Sequence, residues 1–254
     1  MLRSRITPCL LIHNGELVKT QQFKSPKYVG DPLNAVRIFN EKEVDEIIVL
    51  DIDATREGRE PNLELIRELA AECRMPLCYG GGVTRADQAA LIIGLGVEKV
   101  AVSAAAIENS TIVSEMATVV GRQSVVVVLD VKKSLFGKYH VYTRNGSTNT
   151  KLDPVEVANQ MEKLGAGEIV LNSIDNDGMM KGYDLELAQR VRDAIDLPMT
   201  ILGGAGKLED LRAATERFKL IGTAAGSFFV FKGKYRAVLI SYPTGADKNF
   251  ALGR

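Results

Sequence analysis

Glu46-Ile-Ile-Val-Leu-Asp51-Ile-Asp53, an apolar run that ends in acid, recurs later in the chain as Glu168-Ile-Val-Leu-Asn172-Ser-Ile-Asp175. A glycine-rich cluster follows each run, Gly80-Gly81-Gly82 in the first case and Gly203-Gly204-Ala205-Gly206 in the second. The two runs and the two clusters are both 122 residues apart (46 to 168 and 81 to 203), close to half of the 254-residue chain. The repeat predicts two similar halves that together form one body.

Short apolar runs alternate with segments of helical periodicity along the chain, which is typical of β/α units around a parallel sheet. Eight runs are predicted as strands, over residues 5–11, 46–51, 77–79, 99–103, 124–130, 168–172, 199–202 and 220–223. Helices are expected between and after them, over 31–42, 61–73, from Thr84 onward, 109–120, 153–164, 185–195, 208–215 and 227–239.

These elements predict one α/β domain over residues 1–254, a (β/α)8 TIM barrel with a two-fold half-barrel repeat. An open doubly wound sheet is the alternative, and the 122-residue offset favours the closed barrel. Pro8 lies in the first predicted strand. Because proline lacks a backbone donor, we expect a bulge or an unpaired position there.

The composition excludes several classes of protein. The formal net charge is zero, so no overall field would attract nucleic acid or an anionic membrane. No run approaches the roughly 18 apolar residues of a membrane span, and the N-terminus lacks the apolar core of a signal peptide. Three cysteines without metal spacing and two histidines do not suit a metal site or a disulfide framework. We therefore expect a cytoplasmic protein with no metal and no cofactor.

The carboxyl ends of the predicted strands carry features of an anion site. Glycine lets backbone N–H groups approach a phosphate, and a helix N-terminus adds a favourable partial charge. Tight turns without a ligand are the alternative for each cluster taken alone. Together, at related positions, the clusters predict a ligand with a phosphate at both ends, bound by Gly81, Gly82, Gly203, Gly204, Gly226 and Ser227.

Carboxylates also follow the predicted strands. Asp130 ends a long apolar run and Asp51 ends another. At a partly dry barrel mouth a carboxyl group can have a raised pKa and act as an acid or a base. We expect Asp130 to be catalytic and Asp51 to contact the ligand. Asp175 and Asp177 either bind the ligand as well or cap a turn in which Gly178 takes a positive φ.

Four charged residues stand at the opposite, amino-terminal ends of the strands. Arg5, Glu46, Lys99 and Glu168 begin strands 1, 2, 4 and 6. On a closed barrel they could form a ring of alternating charge around the bottom opening. The alternative is four unrelated surface charges.

Many motifs, in order and over nearly the full length, resemble the cyclase subunit of imidazole glycerol phosphate synthase, a (β/α)8 barrel of histidine biosynthesis. They include Cys9-Leu10, Gly30-Asp31-Pro32, Gly80-Gly81-Gly82, Asp130, Ser173-Ile174-Asp175 and Gly203-Gly204-Ala205-Gly206-Lys207. The resemblance implies a glutaminase subunit docked on the N-terminal face of the barrel and a bisphosphorylated substrate at the opposite mouth. It also assigns Arg5, Glu46, Lys99 and Glu168 to a charged gate through which ammonia enters.

Four positions depart from the family pattern. The family has an aspartate, one of its two catalytic carboxylates, where this chain has Leu11. The family's Asn-Thr pair reads Ser103-Ala104, of which only Ser103 can donate a hydrogen bond, and the threonine expected after strand 6 is Asn172. Leucine cannot transfer a proton, and such groups contribute roughly 10²–10⁴-fold to a rate. We therefore expect intrinsic cyclase activity to be reduced or lost.

A kept gate with a lost aspartate resembles a diverged paralogue found with surface-polysaccharide genes. That resemblance implies a heterodimeric, ammonia-channelling barrel that feeds a separate sugar amidotransferase, which forms an acetamidino sugar for lipopolysaccharide of the O-antigen type. Two alternatives stay open. One is a histidine-biosynthesis cyclase that uses Asp53, Lys19 or Asn172 instead of the aspartate, and the other is a non-catalytic partner that only activates the glutaminase. Residues 19–29 form either a lid over a phosphorylated small molecule, with Lys19 as a ligand, or a solvated loop.

Overall fold

In the computed structural model, which describes residues 3–134 and 136–254, strands alternate with helices along the chain. The strands, in chain order, are β1 Arg5–His13, β2 Glu16–Gln21, β3 Lys24–Gly30, β4 Ile47–Asp51, β5 Leu77–Gly80, β6 Lys99–Val102, β7 Val125–Lys133, β8 Tyr139–Thr143, β9 Thr148–Asn149, β10 Glu168–Ser173, β11 Met199–Leu202, β12 Gly222–Ala225, β13 Phe231–Lys232 and β14 Ala237–Val238. The helices are α1 Pro32–Glu41, α2 Ala54–Glu57, α3 Leu63–Glu72, α4 Ala86–Gly94, α5 Ala104–Glu108, α6 Thr111–Val120, α7 Pro154–Lys163, α8 Leu185–Arg192, α9 Leu208–Phe218, α10 Ser227–Val230 and α11 Gly245–Ala251.

Eight of these strands form a closed parallel barrel in the order β1, β4, β5, β6, β7, β10, β11 and β12. The pairing of β7 with β10 and of β12 with β1 closes the sheet. The predicted (β/α)8 barrel is therefore confirmed, and the open sheet is excluded. The repeated stretch lies in β4 and β10. In the barrel, β4 pairs with β1 and β10 pairs with β7, and both β1 and β7 extend beyond the barrel at their carboxyl ends.

The first strand accommodates Pro8 without a bulge. Pro8 is in register with Ala225 of β12, and the pairing of β1 with β4 begins one residue later, at Cys9. The expected bulge is therefore absent, and on the β4 side Pro8 is an unpaired position, which was the other alternative. Pro8 is the last residue paired with β12, where one missing backbone donor disturbs the ladder least.

Polar residues fix the first turns of the helices that cover the barrel. Asp31 accepts a hydrogen bond from the backbone N–H of Asn34 at 2.8 Å, and Pro32 occupies the first turn of α1. Asp153 and Pro154 repeat this arrangement at α7. Such side chains satisfy backbone donors that a helix leaves free at its start. The caps thus set where each helix begins after its loop.

Two antiparallel extensions, which the sequence patterns did not predict, continue from the carboxyl ends of β1 and β7. β1 continues beyond its pairing with β12 and pairs with β2, which pairs with β3. β7 continues beyond β6 and pairs with β8, which pairs with β9. Residues 19–29, considered as a lid or a loop, therefore belong largely to a hairpin.

The predicted helix over 227–239 is wrong beyond its first turn. α10 ends at Val230, and β13 pairs with β14 so that Phe231 lies opposite Val238. Gly233 has a φ of 71° in the connecting turn, a conformation that glycine adopts without strain. The apolar run that reads as one face of a helix is instead divided between a short helix and a hairpin.

Apolar side chains form two layers. The larger layer lies between strands and helices, and the smaller one fills the inside of the barrel. We call the smaller one the lumen cluster; it consists of Cys9, Ile48, Cys78, Ala101, Val126, Val128, Val170, Leu202 and Ala224, with Leu11 and Leu50 packed against it. Among the described residues, no helix combines the length and apolarity needed to cross a bilayer.

Candidate functional site

Four charged side chains form a closed ring at the amino-terminal end of the barrel. Arg5 Nε lies 2.8 Å from Glu46 Oε2, and Arg5 Nη2 lies 2.6 Å from Glu168 Oε1. Lys99 Nζ lies 2.5 Å from Glu46 Oε1 and 2.8 Å from Glu168 Oε2. Each cation thus contacts both carboxylates. The structure brings together all four residues that were predicted to form the gate.

The ring is largely removed from water, and its ion pairs offset that burial at Lys99 and Glu168, whereas burial and the charge of Glu168 raise the pKa of Glu46. Burial disfavours the charge on Lys99, but Glu168 and Glu46 outweigh it and raise the pKa of Lys99. Burial also disfavours the charge on Glu168, yet Lys99 and Arg5 hold the pKa of Glu168 below its usual range. A buried charge that lost its partners would be strongly destabilising. The four side chains are therefore held together across the barrel axis.

Neighbouring strands support the ring. Thr200 Oγ1 donates a hydrogen bond to Glu168 Oε1 at 2.6 Å. A side chain at Gly222 would collide with Thr200 Oγ1, so the glycine leaves room for this hydroxyl group. Packing between β11 and β12 therefore contributes to the position of Glu168.

The lumen cluster connects the ring to the opposite mouth with uncharged side chains. Cys9 and Cys78 are its polar members, and both are buried. Burial raises the pKa of Cys9 to about 11 and the pKa of Cys78 well above its usual range, so both thiols stay protonated at neutral pH. An uncharged lining suits a small neutral molecule better than an ion, which would lose its hydration there.

A pocket, which we call the mouth, opens at the carboxyl ends of the barrel strands. The residues that line it and were predicted for binding or catalysis are Lys19, Asp51, Gly81, Gly82, Ser103, Asp130, Asn172, Gly226 and Ser227. Asp177, which was considered as a ligand contact or as a turn cap, lines it too, and Gly178 after it has a φ of 68°. Leu11, which stands where the resemblance expects a second catalytic carboxylate, lines it as well, beside Leu50. In the part of the chain that the structure describes, no group of three or more His, Cys, Asp or Glu side chains could hold a metal ion.

Asp130 receives a hydrogen bond on each carboxylate oxygen. Asn172 Nδ2 donates to Asp130 Oδ1 at 2.9 Å, and Ser103 Oγ donates to Asp130 Oδ2 at 3.4 Å. Burial raises the pKa of Asp130 to about 6, against the hydrogen bonds from Asn172 and Ser103, and the charge of Asp177 adds to the increase. A carboxyl group with this pKa can exchange protons near neutral pH.

Lys19 is buried in the mouth, on β2. Its Nζ donates to the backbone oxygen of Cys9, and a Cβ at Gly226 would lie 2.8 Å from that nitrogen. Burial lowers the pKa of Lys19, whereas Cys9 and Asp177 act in the opposite direction. Burial raises the pKa of Asp177, which accepts a hydrogen bond from Thr20 at 2.9 Å. The lysine is thus held by a strand, directly beside one predicted anion loop.

The two glycine clusters differ in their relation to the mouth. Gly81 and Gly82 line it, whereas Gly203 and Gly204 are outside its lining. Gly203 has a φ of 90°, and a Cβ there would lie 2.6 Å from Ser173 O. Close packing of a tight turn therefore accounts for glycine at Gly203, and anion binding by this cluster stays a prediction.

Two other aspartates considered for the site make contacts elsewhere. Asp175 Oδ2 accepts a hydrogen bond from the backbone N–H of Lys133 at 2.8 Å, which ties the turn after β10 to the extension of β7. Asp53 accepts from the backbone N–H of Asn14 at 2.8 Å, and His13 Nδ1 lies 2.9 Å from its Oδ1 and Oδ2. Neither aspartate lines the mouth. Ligand binding by Asp175 stays a prediction, and Asp53 is not a nearby substitute for a carboxylate at Leu11.

Phe23, Arg144 and Asn145 also line the mouth, and sequence reasoning missed them. They belong to the turns of the two extensions, and each has a positive φ, of 62°, 52° and 55°. Asn145 Nδ2 donates to Ile52 O at 2.6 Å, which ties one turn to the rim. The dipeptide Asn145-Gly146 is a turn signal that could have located this turn, but not its place over the mouth.

Comparisons with known proteins agree with this geometry. A family model described as "Histidine biosynthesis protein" matches residues 5–236. A Vibrio vulnificus (strain YJ016) protein, provisionally named imidazole glycerol phosphate synthase subunit hisF3, is 56% identical over 253 residues, which cover 99% of this chain and 97% of the relative. A Pseudomonas aeruginosa protein, provisionally named subunit hisF2 of the same synthase, is 51% identical over 243 residues, 96% of this chain and 97% of the relative.

A more distant relative carries the name without that qualification. Imidazole glycerol phosphate synthase subunit HisF of Sulfurisphaera tokodaii is 42% identical over 209 residues, which cover 82% of this chain and 84% of the relative. The family model and these relatives each cover most of the chain. This chain therefore belongs to the histidine biosynthesis protein family, as a HisF-like barrel.

Proposed function

We propose that this barrel is the ammonia-conducting subunit of a glutamine amidotransferase complex. The observation that carries the proposal is the closed ring of Arg5, Glu46, Lys99 and Glu168 at the end of an apolar lumen. Paired charges at this end oppose the passage of water and ions, and an uncharged passage favours neutral ammonia over ammonium. Separation of the ring side chains would admit ammonia, which the lumen cluster then leads to the mouth.

A glutaminase docked at the amino-terminal face is the partner that this arrangement requires. Ammonia must be formed next to the ring, because ammonia released into neutral solution becomes ammonium. The Vibrio and Pseudomonas relatives are named as subunits, which agrees with a barrel that acts within an assembly. We infer a heterodimer of barrel and glutaminase.

The acceptor of the ammonia has two candidates. Leu11 beside Leu50 supports amination on a separate enzyme, a sugar amidotransferase that forms an acetamidino sugar for surface polysaccharide, because the mouth has lost one carboxylate. Asp130 and Lys19 both line the mouth, which supports the second candidate, cyclisation of a bisphosphorylated substrate in the mouth itself. The synthase names of the relatives also favour the second candidate.

Enlarging one lumen side chain tests the conduit. Val126→Phe enlarges a side chain of the lumen cluster that lies outside the lining of the mouth, whereas Val127→Phe makes the same change at the next residue, in the outer apolar layer. Overpacking a core costs about 1–3 kcal/mol, so urea unfolding is used first to show that both variants are folded and similarly destabilised. In the complex, we expect Val126→Phe to lose glutamine-dependent amination and to keep amination from added ammonium salt. Unchanged glutamine-dependent amination in Val126→Phe would rule out the conduit.

Supplying each acceptor to the complex identifies the reaction. Rapid formation of imidazole glycerol phosphate from the bisphosphorylated substrate and glutamine would assign the cyclase function. Amination that requires a sugar amidotransferase and a nucleotide-activated acetamido sugar would assign the separate acceptor. Activation of the glutaminase with no amination of either acceptor would leave a non-catalytic activator as the function.

A further inference from the structure

Asp130 and Asn172 are neighbours in the ladder between β7 and β10, and both line the mouth. The hydrogen bond from Asn172 to Asp130 is 2.9 Å long, and the bond from Ser103 to the other oxygen is 3.4 Å long. Donors on both oxygens favour the ionised carboxylate and restrict its rotation. Asn172 provides the shorter of the two bonds.

The side-chain oxygen of Asn172 has no hydrogen-bond partner among the described residues. Asn172 is 5% exposed, and its Oδ1 accepts no hydrogen bond from any residue that the structure describes. A buried acceptor without a donor is destabilising, so stability alone does not explain this side chain. Turning the amide over would set Oδ1 against the carboxylate of Asp130. The bond to Asp130 therefore decides how the amide is oriented.

The pair stands where the apolar lumen ends. Val128 and Val170 precede Asp130 and Asn172 by two residues on the same faces of β7 and β10, and both valines belong to the lumen cluster. On the other half of the barrel, Leu11 occupies the position related to Asp130. Asp130 is thus the carboxylate that a molecule leaving the lumen would meet on this side.

We propose that Asn172 is a positioning residue that holds the carboxylate of Asp130 as an ionised acceptor for N–H donors at the upper end of the lumen. The inference rests on the proposed conduit, because it makes Asp130 the group that ammonia contacts where it leaves the lumen. The ligand is ammonia or the amine formed from it. Ammonia in an apolar lumen has unsatisfied N–H groups, and an ionised carboxylate offers them acceptors. A protonated Asp130 would instead present a donor on one oxygen.

The titration of Asp130 in the isolated barrel tests the positioning role. We would follow the carboxyl carbon of Asp130 by ¹³C NMR in the wild type, Asn172→Leu, Asn172→Thr and Ser103→Ala. Loss of a hydrogen bond to a charged group should raise the pKa of Asp130 by about one to two in Asn172→Leu. We expect a smaller rise in Ser103→Ala, and in Asn172→Thr if the hydroxyl group still donates.

The other charged or titratable groups around the mouth, which must be titrated in parallel, are Cys9, Lys19, Asp51, Arg144 and Asp177. Unchanged circular dichroism would show that the variants are folded. A pKa of Asp130 in Asn172→Leu within about 0.3 of the wild-type value would overturn the positioning role. This measurement needs neither partner nor acceptor, so its result does not depend on whether the barrel conducts ammonia.

A comparison of two nitrogen sources tests the action on N–H donors. In the complex with glutaminase and the acceptor it uses, Asn172→Leu should lose at least about tenfold in glutamine-dependent amination, and in amination from added ammonium chloride as well when the acceptor binds in the mouth. Val126→Phe should lose only the glutamine-dependent rate. Glutamine-dependent amination by Asn172→Leu at the wild-type rate would overturn the proposal, whereas unchanged glutamine-dependent amination by Val126→Phe would overturn the conduit alone.

Discussion

Leu11 lies beside Leu50 in the ladder between β1 and β4, at the position that Asp130 and Asn172 occupy in the ladder between β7 and β10. The upper end of the lumen is therefore polar on one half of the barrel and apolar on the other. The two half-barrels therefore share the same backbone arrangement at this level but carry side chains of different chemistry. The mouth can bind or transfer a proton on the Asp130 side, but not through Leu11.

Leu11→Asp should restore a carboxylate at the mouth. If the bisphosphorylated substrate binds there, we expect its turnover to rise by about 10²-fold or more, because a general acid or base contributes 10²–10⁴-fold. Steady-state kinetics of the complex would measure this change. Leu11→Asn is the matched control, since it is polar and of similar size but cannot transfer a proton. Equal rates in both variants would show that Ser103, Ala104 or Asn172 blocks the reaction as well.

Asp130→Asn should stabilise the protein above neutral pH. The pKa of Asp130 is raised from 3.8 to about 6, so the folded state binds more protons than the unfolded state between these values. Stability then falls as pH rises through this window, by up to about 3 kcal/mol, or about 1.4 kcal/mol for each of roughly two pH units. Asparagine does not titrate and avoids this loss.

Urea unfolding at several pH values would check that prediction. The difference between Asp130→Asn and the wild type should vanish below about pH 4 and reach its maximum above about pH 7. A difference that does not change with pH would mean that Asp130 titrates alike in the folded and unfolded states. The same variant should lose the amination that depends on the mouth.

Lys99→Met should destabilise the ring. Glu46 and Glu168 would then share Arg5 alone, and the loss of one partner from a buried ion pair costs about 3–5 kcal/mol. Lys151→Met, at an exposed position, is the control and should change the free energy of unfolding by no more than about 0.5 kcal/mol. Thermal or urea unfolding would measure both.

The contribution of Lys99 should also depend on pH at the alkaline end. Its pKa is raised above the ordinary lysine value of 10.5. The stabilisation is therefore fully present below that value and is lost as pH rises through the folded-state pKa. Wild-type protein should lose this stability in strong alkali, whereas Lys99→Met should have none to lose. A parallel decline in both proteins would contradict the assignment.

Gly203→Ala should be costly for two reasons. Its φ of 90° is a conformation that alanine disfavours, and the new Cβ would lie 2.6 Å from Ser173 O and 2.9 Å from Asn172 Oδ1. We expect a loss of about 2–5 kcal/mol in urea unfolding. Gly233→Ala has a φ of 71° but no atom within 4 Å of its Cβ, so it should lose only about 1–2 kcal/mol. Similar losses in both variants would mean that the close approach to Asn172 is easily relieved.

The barrel could be predicted because its strands are buried on both faces and therefore appear as continuous apolar runs, such as residues 125–129. From the sequence, the ring of four charged side chains was only one of two alternatives. Glu46 and Glu168 begin related runs, but their contact with Arg5 and Lys99 depends on closure of the sheet, which no local pattern contains.

The extensions over the mouth could not be predicted in the same way. Gln22, Phe23 and Ser25 take positive φ values without being glycine, so the tight turn between β2 and β3 has no local signal. Asp175 was expected at the mouth because it follows a strand. The backbone N–H of Lys133, which the longer β7 supplies, binds its carboxylate instead.

Two of the three cysteines, Cys9 and Cys78, belong to the lumen cluster, whereas Cys73 lies at the end of α3. The reactivity of these cysteines can therefore be used to follow access to the lumen. A small uncharged thiol reagent would react with Cys78 when the ring opens and its thiol can ionise in contact with water. Cys9 already lines the mouth, and Cys73 would report how the reagent reacts outside the lumen. A glutaminase that opens the ring on docking would then leave a covalent record of each opening inside the barrel.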